Sequence, residues 1–290
     1  ADRTEAFFTD CHGRDHITDA KLALDADGNI TGLRTKTYAS LGAYLSNFST
    51  CIPTYLHGTL MQGLYTTPAV HVDVTAVVTN TVPVDAVRGA GRPEATYGIE
   101  RLIETAAREI GMDPAEFRLK NFIPPFDGVK QPGYQTQVAL QYDSGNYEGV
   151  LKKALKNANY EKLKKERAAA RSDGKLMGIG FSTYIEACGI APSAVVGSLG
   201  CRVGLYDAAS IRVHPTGKVT IHAGAHSHGQ GHETTFAQIV ADSFGIGMDD
   251  VNVIHGDTEN VPFGMGTYGS RSIAVCGSAI MKSVDKVKEK

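Results

Sequence analysis

Val219-Thr220-Ile221-His222-Ala223 runs into Gly224-Ala225-His226-Ser227-His228-Gly229-Gln230-Gly231-His232-Glu233-Thr234, after which Phe236, Ile239, Val240 and Phe244 recur at helical spacing. The order is strand, glycine loop, helix. The first turn of a helix carries unpaired N–H groups and about half a positive charge, so a glycine loop that enters one makes a pocket for an anion such as phosphate. Within about 45 residues the device recurs: Gly264-Met265-Gly266-Thr267-Tyr268-Gly269-Ser270-Arg271-Ser272 precedes the amphipathic pattern Ile280, Met281, Val284, Val287. Gln230 donates and accepts through one amide, and Ser270, Arg271 and Ser272 add two hydroxyls and a guanidinium, an inventory suited to a pyrophosphate or a heterocycle edge. Tight turns with helix caps are the plain alternative for either loop alone. Two such loops in one domain favour a ligand.

Upstream of the first loop, Ser210 to Val213 and Val219 to Ala223 flank Pro215-Thr216-Gly217 as a hairpin, and Met177 to Ile185 reads as a further strand. A Lys-rich amphipathic helix is predicted from Tyr147 to Arg171, its lysines forming a solvated face. Residues 125–146, with Pro125, Asp127-Gly128, Pro132-Gly133 and Ser144-Gly145, are dense in turn formers and read as a linker. In the front part a hairpin is predicted over 17–38 around Asp27-Gly28-Asn29, and a β-branched strand over Val70 to Val78. Then Arg88-Gly89-Ala90-Gly91-Arg92-Pro93-Glu94 leads into a helix whose Ala95, Ile99, Leu102, Ile103, Ala106 and Ile110 share a face. Asp113-Pro114 starts a second, short helix through Leu119. The reading is α+β: mixed sheets with packed helices, as a domain segment over 1–124, the linker, and a second segment over 147–290.

The 290 residues carry a net charge of −2 and are 42% hydrophobic. That balance fits neither disorder nor a dedicated nucleic-acid binder. Apolar runs fall well short of the ~20 residues of a bilayer span, so a cytoplasmic protein with no membrane span is expected. Cysteines 11, 51, 188, 201 and 276 never form a C-x-x-C pair, which argues against a disulfide framework or a thiolate zinc site. The chain opens at Ala1 and stops at Lys290 inside a helical pattern, so it is expected to be an excerpt of a longer polypeptide. Gly89-Ala90-Gly91 lacks the third glycine of a dinucleotide fingerprint, and no Walker lysine or G-x-S-x-G elbow is present. His222, His226, His228 and His232 cluster in sequence, which keeps a histidine-metal hydrolase as a rival. Direct metal ligation by them is not expected, since only Glu233 stands near as a carboxylate partner.

Four motifs in order, Arg88 to Glu94, Arg118-Leu119-Lys120-Asn121-Phe122, Gly229 to Thr234 and Gly266 to Ser272, carry a family resemblance that covers essentially the whole chain. The sequence resembles the molybdenum-binding large subunit of the xanthine dehydrogenase and aldehyde oxidase family, most closely its aerobic carbon monoxide dehydrogenase-like branch. The resemblance implies two molybdopterin-binding domain segments with the cofactor between them, molybdenum on a pterin dithiolene, as a cytosine dinucleotide in bacteria. It implies that Gly229, Gln230 and Gly231 contact this cofactor and that Ser270, Arg271 and Ser272 lie near its pyrophosphate. Arg88, Gly89, Ala90 and Gly91 would face the metal and a small-molecule substrate.

The implied activity is oxidative hydroxylation of an aldehyde or N-heterocycle carbon with water as oxygen source. Electrons would leave through 2Fe-2S clusters and FAD on an iron–sulfur subunit and an FAD subunit, in a dimer of heterotrimers. The family's glutamate base is expected outside these residues, and Glu94, Glu186 and Glu233 are not nominated for it. Copper-type carbon monoxide dehydrogenases are expected to carry a cysteine where this chain has Gly89, so copper chemistry should be absent. Ala90, standing where purine-oxidising relatives have a bulky aromatic, implies a roomier pocket, and Val87 departs from the tyrosine usual in this branch.

Overall fold

The computed structural model describes residues 2–128, 133–190, 193–198, 202, 204–261 and 263–290; Pro132 and Cys201 lie outside the described residues. The chain forms two compact units, Ala1–Ile185 and Glu186–Lys290.

The first unit opens with helix α1 (Arg3–Thr9), started by an Asp2/Glu5 capping box. Strands β1 (His16–Leu24) and β2 (Ile30–Ser40) form the predicted hairpin, with Leu22 opposite Leu33. Its turn is fixed by the Asp25 carboxylate, which accepts the backbone N–H groups of Asp27 at 3.0 Å and Asn29 at 2.8 Å. After a crossover containing a π-helical turn (Cys51–Leu56), β3 (Val70–Val77) returns parallel to β2 and makes it the central strand. Helix α2 (Arg92–Glu109) lays Ile99, Ile103, Ala106 and Ala107 into a core with Ile30, Leu33, Leu64 and Tyr65. Each fully buried large apolar side chain there contributes roughly 1.5–3 kcal/mol.

Helix α3 (Pro114–Asn121) is capped by Asp113, which accepts the N–H of Ala115 at 2.8 Å. The motif Arg118 to Phe122 is bracing. Arg118 is fully buried and pairs with Glu100 at 3.0 Å and Glu104 at 3.1 Å. Asn121 accepts the Ile30 N–H at 2.8 Å and donates to the Gly28 carbonyl at 3.1 Å, tying α3 to the hairpin.

Within residues 125–146 lie four two-residue strands, β4 (Phe126–Asp127), β5 (Tyr134–Gln135), β6 (Gln141–Tyr142) and β7 (Ser144–Gly145), paired β4 with β7 and β5 with β6. The single helix expected over 147–171 is two, α4 (Tyr147–Asn157) and α5 (Tyr160–Ser172). Asn159 stands between them at φ +50°, a left-handed conformation that asparagine tolerates and that redirects the chain. Leu151, Leu155 and Tyr147 pack against the core of the first unit. Met177 to Ile185 joins no sheet. Thr183 docks it instead, giving its N–H to Glu100 at 3.0 Å and its hydroxyl at 2.8 Å.

In the second unit, α6 (Ser193–Ser198) precedes β8 (Ala209–Val213) and β9 (Val219–Ala223), the predicted hairpin. Helix α7 (His232–Phe244) ends at Gly245, φ +71°. After a 3-10 turn (Met248–Asp250), β10 (Val251–His255), a strand absent from the sequence reading, pairs parallel with β9. A π-helical turn (Ser272–Cys276) leads into α8 (Gly277–Lys288). Phe236 and Val240 of α7 and Ile280 and Val284 of α8 pack on Val219, Ile221 and Ala223. Both three-stranded sheets are thus mixed. Among the described residues no helix is long and apolar enough to cross a membrane.

Candidate functional site

The order β9, α7, β10 places both glycine loops of the second unit beyond the carboxyl ends of two adjacent parallel strands. That is where open α/β sheets leave room for a ligand. In the first loop Gly229 and Gly231 have φ of +96° and +79°, and a Cβ built on either meets nothing within 4 Å. In the second, Gly266 has φ +79° and the same open space. The loops meet at their bases. A Cβ on Gly264 would overlap the Gly224 carbonyl oxygen, and one on Gly224 would stand 2.9 Å from the Gly264 Cα, so neither position admits a side chain.

Gln230 folds over its own loop, its Oε1 accepting the backbone N–H of His228. The His226 ring lies tilted to that of His228 and edge-on to that of His255, with ring centroids 5.0 and 5.4 Å away. Glu233 Oε1 lies 2.7 Å from His255 Nε2. A backbone N–H and then His255 hold the Glu233 carboxyl below its ordinary range, and burial followed by the neighbouring His255 lowers the pKa of His232. Among the described residues no group of three or more His, Cys, Asp or Glu is placed to hold a metal ion. The histidine-metal rival therefore has no ligand set there.

The segment 270–272 differs from expectation in orientation. Arg271, expected as an anion-gripping cation, is fully buried and turned inward. Its Nη1 donates to Asp207 and to the Gly266 carbonyl, both at 3.0 Å, and its Nη2 to the carbonyls of Leu205 and Tyr206, both at 3.1 Å. The physical reason is Asp207, itself at 0% side-chain exposure, whose buried carboxylate requires a cation beside it. Ser270, at φ +51°, donates to Glu186 at 2.6 Å, and the Ser272 hydroxyl lies 3.1 Å from that of Thr267. Asp207 was not singled out from sequence; no local pattern marks an acid whose partner stands 64 positions away.

In the first unit, Gly89, Ala90 and Gly91 have successive φ of +111°, +51° and +84° before the first turn of α2. Arg88 is exposed, its carbonyl accepting from Arg14. These glycines face protein. A Cβ at Gly89 would overlap the Pro93 ring, and one at Gly91 would overlap the Ile52 carbonyl oxygen and sit 2.9 Å from His57 N. His57 is 1% exposed, its ring 4.4 Å from that of His16 and its Nε2 3.2 Å from Thr37 Oγ1. Burial pushes its pKa down to about 4. Val87 lines a cleft of about 600 Å³ with Arg3, Phe7, His12 and Arg14. Glu94 stands in the first turn of α2. Burial pushes the Cys276 thiol up to about 11, which leaves it inert as a nucleophile.

Two family models match, both described as molybdopterin cofactor-binding domains, over residues 1–122 and 153–290. The carbon monoxide dehydrogenase large chain of Hydrogenophaga pseudoflava is 41% identical over 298 residues, covering 100% of this chain and 36% of that protein. The 6-hydroxypseudooxynicotine dehydrogenase complex subunit gamma of Paenarthrobacter nicotinovorans is 33% identical over 290 residues, covering 100% and 35%. The crystal structure of quinoline 2-oxidoreductase from Pseudomonas putida 86 superposes with a TM-score of 0.89 at 32% identity, covering 100% of this chain and 36% of that one. The chain spans about a third of the length of the curated relatives it matches. With both cofactor-binding segments present in order, and relatives of this kind along its full length, the chain belongs to the molybdenum-binding large-subunit family of xanthine dehydrogenase and aldehyde oxidase, in its carbon monoxide dehydrogenase-like branch.

Proposed function

We propose that this chain is the cofactor-holding portion of a molybdenum hydroxylase large subunit that oxidatively hydroxylates an aldehyde or N-heterocycle carbon with water. One observation carries the reading: two glycine loops, joined at their bases, leave unfilled space at Gly229, Gly231 and Gly266 beyond the carboxyl ends of β9 and β10. The cofactor's anionic and pterin groups fit there, because backbone amides can approach closely where no Cβ intervenes. The group itself, when bound, supplies the two-electron redox chemistry. Gly229 and Gly231 admit it, Gln230 braces the first loop through His228, and Ser270 and Ser272 brace the second through Glu186 and Thr267. Arg88, exposed on the first unit, supplies a guanidinium to the substrate, and Gly89, Ala90 and Gly91 give its loop the positive-φ course that seats it against Pro93 and Ile52.

The division into a first cofactor-binding segment over 1–124, a linker over 125–146 and a second segment over 147–290 belongs to this reading. The family models, ending at 122 and beginning at 153, support it. Iron–sulfur and FAD partner subunits, a dimer of heterotrimers and a cytoplasmic setting belong to the same reading. Quinoline and nicotine-derived names among the relatives favour an N-heterocycle.

Carbon monoxide oxidation is the second reading, favoured by the 41% identity to a carbon monoxide dehydrogenase large chain. A copper-bridging cysteine in place of Gly89 conflicts with φ +111° and with the Pro93 ring at that position. The test is the full-length complex, assayed for molybdenum and pterin and then offered quinoline, an aldehyde or carbon monoxide with an artificial electron acceptor. Heterocycle or aldehyde turnover without carbon monoxide turnover is expected. Gln230→Ala should lower molybdenum per folded large subunit about tenfold, and unchanged occupancy would remove Gln230 from the site.

A further inference from the structure

Arg271 has no route to a ligand: its side chain is 0% exposed, and its two terminal nitrogens make four hydrogen bonds to protein. What those bonds join is informative. One holds the Gly266 carbonyl, inside the second glycine loop, and another holds Asp207. Asp207 in turn occupies the space where a Cβ on Gly224, the root of the first loop, would stand. The guanidinium therefore connects the roots of both loops through a single buried pair, while the adjoining backbones of Gly224 and Gly264 touch. The pair is neutral as a unit, so it adds little field at the open face of the loops.

We propose that Asp207 and Arg271 are positioning residues: a buried ion pair that fixes the spacing of the two glycine loops, so that they act as one cradle for the cofactor's anionic group without either side chain touching it. The proposal rests on the molybdopterin reading of those loops. It reverses the electrostatic expectation for Asp207. Were Arg271 an anion contact, removing the acid beside it would strengthen anion binding; as a clamp, the same change loosens the loops and weakens it.

The experiment uses the full-length subunit in its complex, with pterin and molybdenum per folded subunit as the readout and a thermal melt certifying the folded fraction. Asp207→Asn is expected to lower occupancy about 10–100-fold, as outer-sphere changes at metal centres do. Arg271→Lys, which keeps the charge but cannot fork among four acceptors, is expected to lose as much as Arg271→Met. Occupancy maintained or raised in Asp207→Asn, or maintained in Arg271→Lys, overturns the clamp. A wild-type complex without pterin overturns the molybdopterin reading instead. Should both variants fail to fold, amide exchange in the wild type decides. Residues 224–231 and 264–271 are expected to open as one unit, with protection within about tenfold of each other, and protection differing by more than about 100-fold overturns the proposal.

Discussion

The loop at Gly89 to Gly91 and the loops at Gly229, Gly231 and Gly266 use the same residue for opposite ends. All have φ between +79° and +111°, so each needs glycine for backbone reasons. In the first unit the missing Cβ makes room for the protein itself, the Pro93 ring and the Ile52 carbonyl. In the second unit the missing Cβ faces nothing within 4 Å. A glycine motif therefore has two readings, internal packing and external cradle, and a filled space beside the absent Cβ marks the first. The contrast predicts opposite phenotypes for one substitution. Gly91→Ala adds left-handed strain of about 1–2 kcal/mol and an overlap costing about 1–3 kcal/mol more. It should lower the melting temperature of the first unit by many degrees. Gly229→Ala carries the strain alone, so its stability loss should be smaller by the overlap cost, and its main effect should be lost molybdenum. Equal melting temperatures for the two variants would erase the distinction.

Acid should break the same comparison from the other side. The first loop rests on His57, buried beside His16, whose pKa is also lowered by burial. A histidine whose folded pKa lies near 4 against 6.5 unfolded binds fewer protons when folded, so stability is complete above about pH 6.5 and declines as pH falls toward 4. The full loss is on the order of 3 kcal/mol. Urea midpoints measured from pH 7 to pH 4.5 should fall for the wild type and fall less for His57→Gln, which carries no titrating group. Parallel slopes would mean that His57 does not drive the decline.

How far these features were legible from sequence depends on the range of the interaction involved. The β1–β2 hairpin was readable because Asp25 to Asn29 fix their turn locally, and α2 because its buried face repeats within one segment. Both glycine loops were readable for the same reason. The break at Asn159 was hidden, since asparagine enters the left-handed region without the signal that glycine or proline would give. Strand β10 was hidden because five residues identify a strand only once β9 lies beside them. Met177 to Ile185 has strand-like alternation, yet Glu100, 83 positions from Thr183, captures it. Arg271 is the instructive case. A charge between serines in a loop reads as a ligand contact, and only the fold brings Asp207 to it.

Ala90 gives the smallest effect and bears most directly on what the first loop is for. Between two glycines it is held at φ +51°, where a Cβ costs about 1–2 kcal/mol. If that conformation serves only the packing of Gly89 and Gly91, then Ala90→Gly relieves the strain and stabilises the chain by about 0.5–1 kcal/mol, less than the full strain because the unfolded state gains freedom. On the proposed reading, in which Arg88 meets the substrate, the neighbouring Ala90 methyl would bound the same side of the loop. The variant should therefore melt a few degrees higher while its selectivity between small and bulky heterocycles narrows. A rise in stability with selectivity unchanged would assign the strain to packing alone, and make both ends of this loop, unlike the cradle of the second unit, purely structural.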